Sequence, residues 1–375
     1  MGRKFTRFLM SFIICCIVFV FILFGIIFFK EIYGDLKLVS VEPEKFKSNI
    51  TTTSTVQKNI TAPVVMTNSS GVEDTTSVKN VNYDSVTVDK YYYNQLNNYS
   101  QDIYKAFESN KEQMKTGKAQ IDLGTNFSNL LSTSQGQNQL SQYYQSAIEA
   151  YTYDNPDVFY LNPNKMYLNV ETITSGSQTK YNVYINSGNE ASYLIDEFSS
   201  KTQVQNAIAS VEQVKNQIEQ SKTGNAYDDI KMVHDYLIDN IEYDSSISKP
   251  NIYNIYGALV NKVCVCEGYA RALKYILDDM GISTVLVIGQ GVNNEGQTEN
   301  HAWDYVRLSG SWYAIDATWD DPIVVGGGTA TQKDRYRYFL KGSSEFNQDH
   351  SPSGQFTEGG MEFSYPNLSS SSFSK

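Results

Sequence analysis

Val263-Cys264-Val265-Cys266-Glu267-Gly268 leads directly into a helix whose apolar face is Tyr269, Leu273, Ile276, Leu277 and Met280. Gly281 stops that helix, as a residue in left-handed backbone does at a C-terminus. Cys266 therefore sits at a helix N-terminus, which carries unpaired amide donors and roughly half a positive charge. A thiol there ionises more readily, and the thiolate is the nucleophile. The same amides can hold the oxyanion formed when a carbonyl is attacked. Gly268 lets a substrate or a neighbouring backbone come close.

The flanking sequence supplies the rest of a fold. Upstream, Ile230, Val233, Leu237, Ile238 and Ile241 mark one face of a helix starting near Asn225, with His234 on its flank as a structural histidine. A shorter helix is expected over 253–261. Downstream, strand-like runs cover 284–288, 302–308 and 312–318. Helices followed by strands imply an α+β core, with helices packed on an antiparallel sheet. A two-residue turn at Ser309-Gly310 would pair Leu308 with Ser311, Trp303 with Asp316 and His301 with Thr318. Asp316 is then diagonal to His301, about 7–8 Å between α-carbons, within reach of a carboxylate–imidazole hydrogen bond. One hairpin delivers a base for the thiol proton and a carboxylate to orient that base.

At these residues the sequence resembles the transglutaminase-like superfamily: Val265-Cys266-Glu267-Gly268-Tyr269-Ala270, then His301-Ala302-Trp303, then Trp312-Tyr313-Ala314-Ile315-Asp316-Ala317-Thr318-Trp319. The three motifs stand in order with fitting spacing over about 226–322, and the stretch from roughly 90 looks like the region that often precedes this domain in bacterial surface members. The resemblance implies a papain-like triad with Cys266 as nucleophile, His301 as base and Asp316 as orienter. Cys264 lies outside the motif. Asp304 stands where many relatives have Asn, on the opposite face of the strand. The second oxyanion donor in such proteins is usually an aromatic upstream of the Cys, and Tyr243 and Tyr256 both qualify. Gly268 and Trp303 are expected at the substrate cleft.

Topology is read from the start of the chain. Residues 8–29 are free of charge and long enough to cross a hydrocarbon core roughly 30 Å thick. Arg3, Lys4 and Arg7 precede them, which puts the N-terminus in the cytoplasm and the rest outside. A cleaved signal peptide is the rival reading, but the apolar run is long and no small-residue cleavage site follows it. The expected order is a cytoplasmic tail (1–7), a transmembrane anchor (8–29), a flexible Ser/Thr-rich linker (30–82), a mixed α/β region (83–225), a transglutaminase-like catalytic domain (226–345) and a polar C-terminal tail (346–375). In the mixed region, helices are expected over 137–151 and 202–221, and strands over 165–170 and 180–185.

Composition narrows the function. A formal charge of −11 with no basic stripe argues against a nucleic-acid partner. The 28 Tyr, with frequent Asn, Lys and Ile, are types that AT-rich codons favour, as in a low-GC bacterium. Outside 8–29 the chain holds only Cys264 and Cys266, too close together to staple a fold. No zinc spacing, phosphate loop or dinucleotide fingerprint is present, so neither cofactor nor metal is expected. Asp320-Asp321 and Asp278-Asp279 read as a solvated turn and a helix end, and His350 as exposed in a Ser/Gly-rich tail. The sequence therefore implies an extracytoplasmic thiol enzyme acting on carboxamide or peptide bonds of surface proteins or wall peptides, by crosslinking, deamidation or hydrolysis. The alternative is a non-catalytic surface module that binds through the same fold.

Overall fold

Asn97 caps the first long helix through its side chain, which accepts from the Ser100 amide at 3.0 Å. The structure, a computed structural model, describes residues 64–68, 81–83, 85–175, 177–293, 296–321, 334–356 and 360–375. The expected anchor at 8–29 and nearly all of the expected linker lie outside them. Among the described residues no helix is long and apolar enough to cross a membrane.

Strand β1 (Val64–Asn68) comes first, followed by helix α1 (Asn98–Ser109), strand β2 (Ile121–Gly124) and helix α2 (Gly136–Asp154). The hairpin of β3 (Tyr167–Ser175) and β4 (Gln178–Asn186) leads to helix α3 (Lys201–Glu219). These match the expected helices and strands, with longer strands. The sheet order is β1-β3-β4-β2, parallel only at β1/β3.

Helix α4 (Ala226–Asn240) starts where expected, with Asn225 accepting from the Asp228 amide. Strand β5 (Glu242–Tyr243) pairs in parallel with β6 (Val263–Cys264), setting Tyr243 opposite Cys264. Between them the expected helix over 253–261 shrinks to a π-type turn at Gly257–Asn261, closed by Lys262 in left-handed backbone (φ 60°). Helix α5 (Cys266–Asp279) ends before Gly281 at φ 82°, as its sequence requires.

Strands β7 (Thr284–Val292), β8 (Thr298–Leu308) and β9 (Ser311–Ile315) form an antiparallel sheet. Ser309 (φ 52°) and Gly310 (φ 85°) are both left-handed, the two-residue turn that matches strand twist. Leu308 pairs with Ser311, and the register runs back to Asp304 opposite Ile315. The third strand ends there, short of Thr318. Asp316 turns the chain by accepting the amides of Thr318 (3.0 Å) and Trp319 (3.1 Å) on Oδ1, so the expected His301–Thr318 pair is replaced by a side-chain turn.

The stretch from 346 onward corrects the expectation of a polar tail. After helix α6 (Ser343–Phe346), strand β10 (His350–Pro352) pairs with β7 and makes the sheet order β10-β7-β8-β9. Phe346, His350 and Phe363 are buried. Its apolar residues are spaced irregularly among Ser and Gly, so they carry no periodic signal, but they pack into or against the core.

The first half of the chain is tied to α5 directly. Arg271, in α5, donates to the Thr152 carbonyl at 2.7 Å, lies 4.6 Å over the Tyr153 ring and pairs with Glu267 at 2.8 Å. Asp154 accepts the Tyr92 and Tyr93 amides, yet burial still raises its carboxyl to about 6.

Candidate active site

Cys266 is the first residue of α5, and its N-cap, Val265, offers no side-chain acceptor to the helix amides. Ser, Thr, Asn or Asp would cap this end at the cost of occupying those amides. The thiol hydrogen-bonds to His301. His301 Nε2 is 2.7 Å from Asp316 Oδ2, leaving Nδ1 to face the sulfur. The three predicted residues therefore converge, with Cys266 0%, His301 2% and Asp316 1% exposed.

Why the sequence allows this is visible in the sheet. His301 lies opposite Gly289 on β7 and stacks on Trp319, with 4.8 Å between ring centroids. A methyl group at Gly291 would lie 2.8 Å from the Trp319 ring, so glycine keeps room for the ring that stacks on His301.

The electrostatics are those of an ion pair. Burial disfavours the imidazolium, but the Asp316 carboxylate, the Cys266 sulfur and hydrogen bonds to both outweigh it, and His301 is held well above its ordinary value. Asp316 shows the complementary shift. Burial opposes its charge, yet His301 and then His350 hold it far below the usual carboxylate range.

His350 corrects the expectation of an exposed tail residue. It is 1% exposed, and its Nε2 is 3.2 Å from Asp316 Oδ2. His301, Asp316 and His350 thus bring three potential metal-ligand atoms within 4.8 Å of one another, a cluster no sequence spacing announced. Both histidine Nε2 atoms are already engaged with the carboxylate.

The two tyrosines separate. Burial, followed by the Cys266 sulfur, Glu299, Cys264 and Asp316, raises the Tyr243 phenol far above normal, so it stays a protonated donor beside the thiol. Tyr256 instead stacks on Phe159 at 5.7 Å and meets Phe198 edge-on.

Trp303 and Gly268, expected at a cleft, are packing residues. Trp303 is 1% exposed and wedged against His301, Phe346 and His350. A methyl group on Gly268 would lie 2.5 Å from Cys264 Cβ and 2.7 Å from the Ile252 carbonyl, so the neighbours it admits are the Cys264 side chain and the Ile252 backbone. Cys264 is buried, and burial, with Cys266 and Asp321, pushes its thiol well up. Asp304 is buried on the opposite face, where burial keeps its carboxyl far above normal despite Lys274 nearby.

The remaining acidic pairs are structural. Asp320 and Asp321 are not a solvated turn: Asp320 is buried against His234 Nε2 at 3.1 Å, and Asp321 accepts the Tyr269 hydroxyl at 2.6 Å. His234 is the expected structural histidine, bracketed by Asp320 and Asp235. Asp278 pairs with Lys274 and Asp279 with Lys215. A cleft of ≈ 240 Å³ that no motif marked lies beside α5, lined among others by Phe159, Tyr253, Asn254 and Arg271.

Residues 212–317 match the family model of the transglutaminase-like superfamily, a span that contains Cys266, His301 and Asp316. The chain therefore carries a transglutaminase-like domain. Over 137 residues it is 26% identical to the kyphoscoliosis peptidases of Mus musculus and Homo sapiens, a match covering 33% of this chain and 20% of theirs. Among solved structures it is similar to a TGase (TM-score 0.29, 14% identity, 47% of this chain and 50% of that one). It is also similar to the periplasmic domain of TgpA from Pseudomonas aeruginosa (TM-score 0.25, 15% identity, 38% and 55%).

Proposed function

We propose that the chain is a thiol enzyme acting on carboxamide or peptide bonds through an acyl-enzyme. The observation that carries this reading is the 2.7 Å His301–Asp316 contact on the imidazole that also hydrogen-bonds Cys266. In this reading Cys266 Sγ, its proton passed to His301, bonds to the carbonyl carbon. The α5 amides and the Tyr243 hydroxyl hold the oxyanion. The imidazolium then gives its proton to the departing nitrogen as the carbon–nitrogen bond breaks, and the acyl group remains on sulfur. Water, deprotonated by His301, releases an acid and so gives deamidation or peptide hydrolysis. A primary amine in its stead gives a crosslink. Asp316 keeps the imidazole oriented throughout.

Location belongs to the same proposal: residues 8–29 anchor the chain and the catalytic part faces outward. Support comes from the charge-free run and the three basic residues before it. Surface proteins and wall peptides are then the substrates within reach.

The test uses glutamine-containing peptides incubated with the full chain, with and without a fluorescent primary amine, and read by mass spectrometry. Amine incorporation, deamidation or cleavage that disappears with Cys266→Ala is the expected result. Unchanged peptides under all conditions would favour the binding-module reading.

A further inference from the structure

We infer that His350 is a positioning residue that holds the Asp316 carboxylate, and through it His301, in register with Cys266. The inference rests on the thiol-enzyme reading and adds a group to it. His350 lies outside the family match at 212–317, so the chain beyond that domain contributes it.

Asp316 receives four donors. Its Oδ1 accepts the Thr318 and Trp319 amides, and its Oδ2 is shared by His301 Nε2 at 2.7 Å and His350 Nε2 at 3.2 Å. A carboxylate offers about four lone-pair sites, so these contacts fix its plane as well as its location. Without His350, His301 is the one donor left to Oδ2 among the described residues, and it is the group to be oriented.

His350 is itself held in place. Its Nδ1 is 2.7 Å from Asp349 Oδ1, and Asp349 Oδ2 accepts the Tyr338 hydroxyl at 2.8 Å. Its ring stacks on Phe346 at 3.9 Å and abuts Trp319 at 4.5 Å. The backbone delivers it as deliberately: β10 pairs His350 with Gly291 on β7, whose next-but-one residue Gly289 faces His301 on β8. A methyl group on Gly289 would lie 2.2 Å from the Ser351 carbonyl, so only glycine lets β10 come this close.

The competing explanation is packing, since the Phe346 stack alone gives His350 a reason to be buried. Two substitutions in the full chain separate the ideas. His350→Phe keeps the stack and loses the donor; His350→Gln loses the stack and keeps an N–H. The readout is the rate at which iodoacetamide alkylates Cys266 near pH 6, followed by mass spectrometry of its peptide, with thermal melting in parallel. The Phe variant is expected to react roughly 10- to 100-fold more slowly than wild type, the range seen when an outer hydrogen-bond partner of a tuned site is lost. The Gln variant is expected to recover most of the rate. Should the Phe variant fail to fold, Asp349→Asn, which keeps the ring but loosens its hold, must slow the reaction in the same direction. Equal rates for wild type and the Phe variant, or a folded Gln variant as slow as Phe, overturn this inference alone. A wild type no more reactive than free cysteine overturns the thiol-enzyme reading and this inference with it.

Discussion

Cys264 and Cys266 are separated by one residue and by their chemistry. Cys264 lies in β6 with its thiol pushed up by burial, whereas Cys266 opens α5 and meets His301. Cys266→Ala is expected to abolish turnover by several orders of magnitude, as loss of a nucleophile does in comparable triads. Cys264→Ala should retain most of it, as kcat measurements on both variants would check. The Asp316 carboxylate sets the pH behaviour. His301 is raised, so its contribution to stability is complete below its unfolded value of about 6.5 and fades as pH climbs through the raised one. Asp316 is depressed, so its contribution is complete above about 3.9 and fades as pH falls through the lower one. Asp316→Asn leaves burial unopposed by a carboxylate, so His301 returns toward the neutral form. The low-pH limb of Cys266 alkylation should therefore move upward in the variant, while wild type still reacts below about pH 7, where an ordinary thiol is nearly silent. Coincident profiles with both proteins folded would contradict this. Cys266, His301 and Asp316 were legible because their motifs coincide with a helix start and with the strands of one hairpin. His350 was not: it is 34 residues from Asp316 in an aperiodic stretch, and only the fold brings them together.

At the scale of elements, the sequence carried the hairpin well because its turn leaves little choice. Two left-handed residues fix a two-residue connection, and the register then follows for every pair from Leu308–Ser311 to Asp304–Ile315. It carried the end of β9 poorly, since Asp316-Ala317-Thr318 reads as strand until its carboxylate is seen capturing two amides. The shorter helix expected over 253–261 begins later for a related reason: the Asn254 side chain accepts the Tyr256 and Gly257 amides, two and three residues on, and so sets the start of the helical stretch beyond itself. Gly268 ties three elements together by letting α5 press on β6 and on the Ile252 carbonyl. Gly268→Ala inserts a methyl group where no atom can yield cheaply and should cost about 1–3 kcal/mol, measurable as a lowered denaturation midpoint at unchanged m-value. A neutral effect would mean that the helix can shift without loss.

For the molecule as a whole, the first half is more than a spacer. Arg271 joins α5 to α2 through the Thr152 carbonyl and neutralises Glu267, with side chains 7% and 0% exposed. Arg271→Ala removes the ion-pair partner of a buried carboxylate and should cost about 3–5 kcal/mol, seen by denaturant titration. The proposed anchor makes a separate claim: protease treatment of intact cells should remove an epitope appended after Lys375, and protection of that epitope would contradict an outward-facing domain. At the centre stands acyl transfer by the assembled Cys266–His301–Asp316 group. The most direct test is intact-protein mass spectrometry after mixing with glutamine-containing peptides and quenching in acid. An adduct equal to the peptide mass less one ammonia is expected, mapped to Cys266 and absent from Cys266→Ala; an unmodified Cys266, or the same adduct on another residue, would rule out acyl transfer at this site.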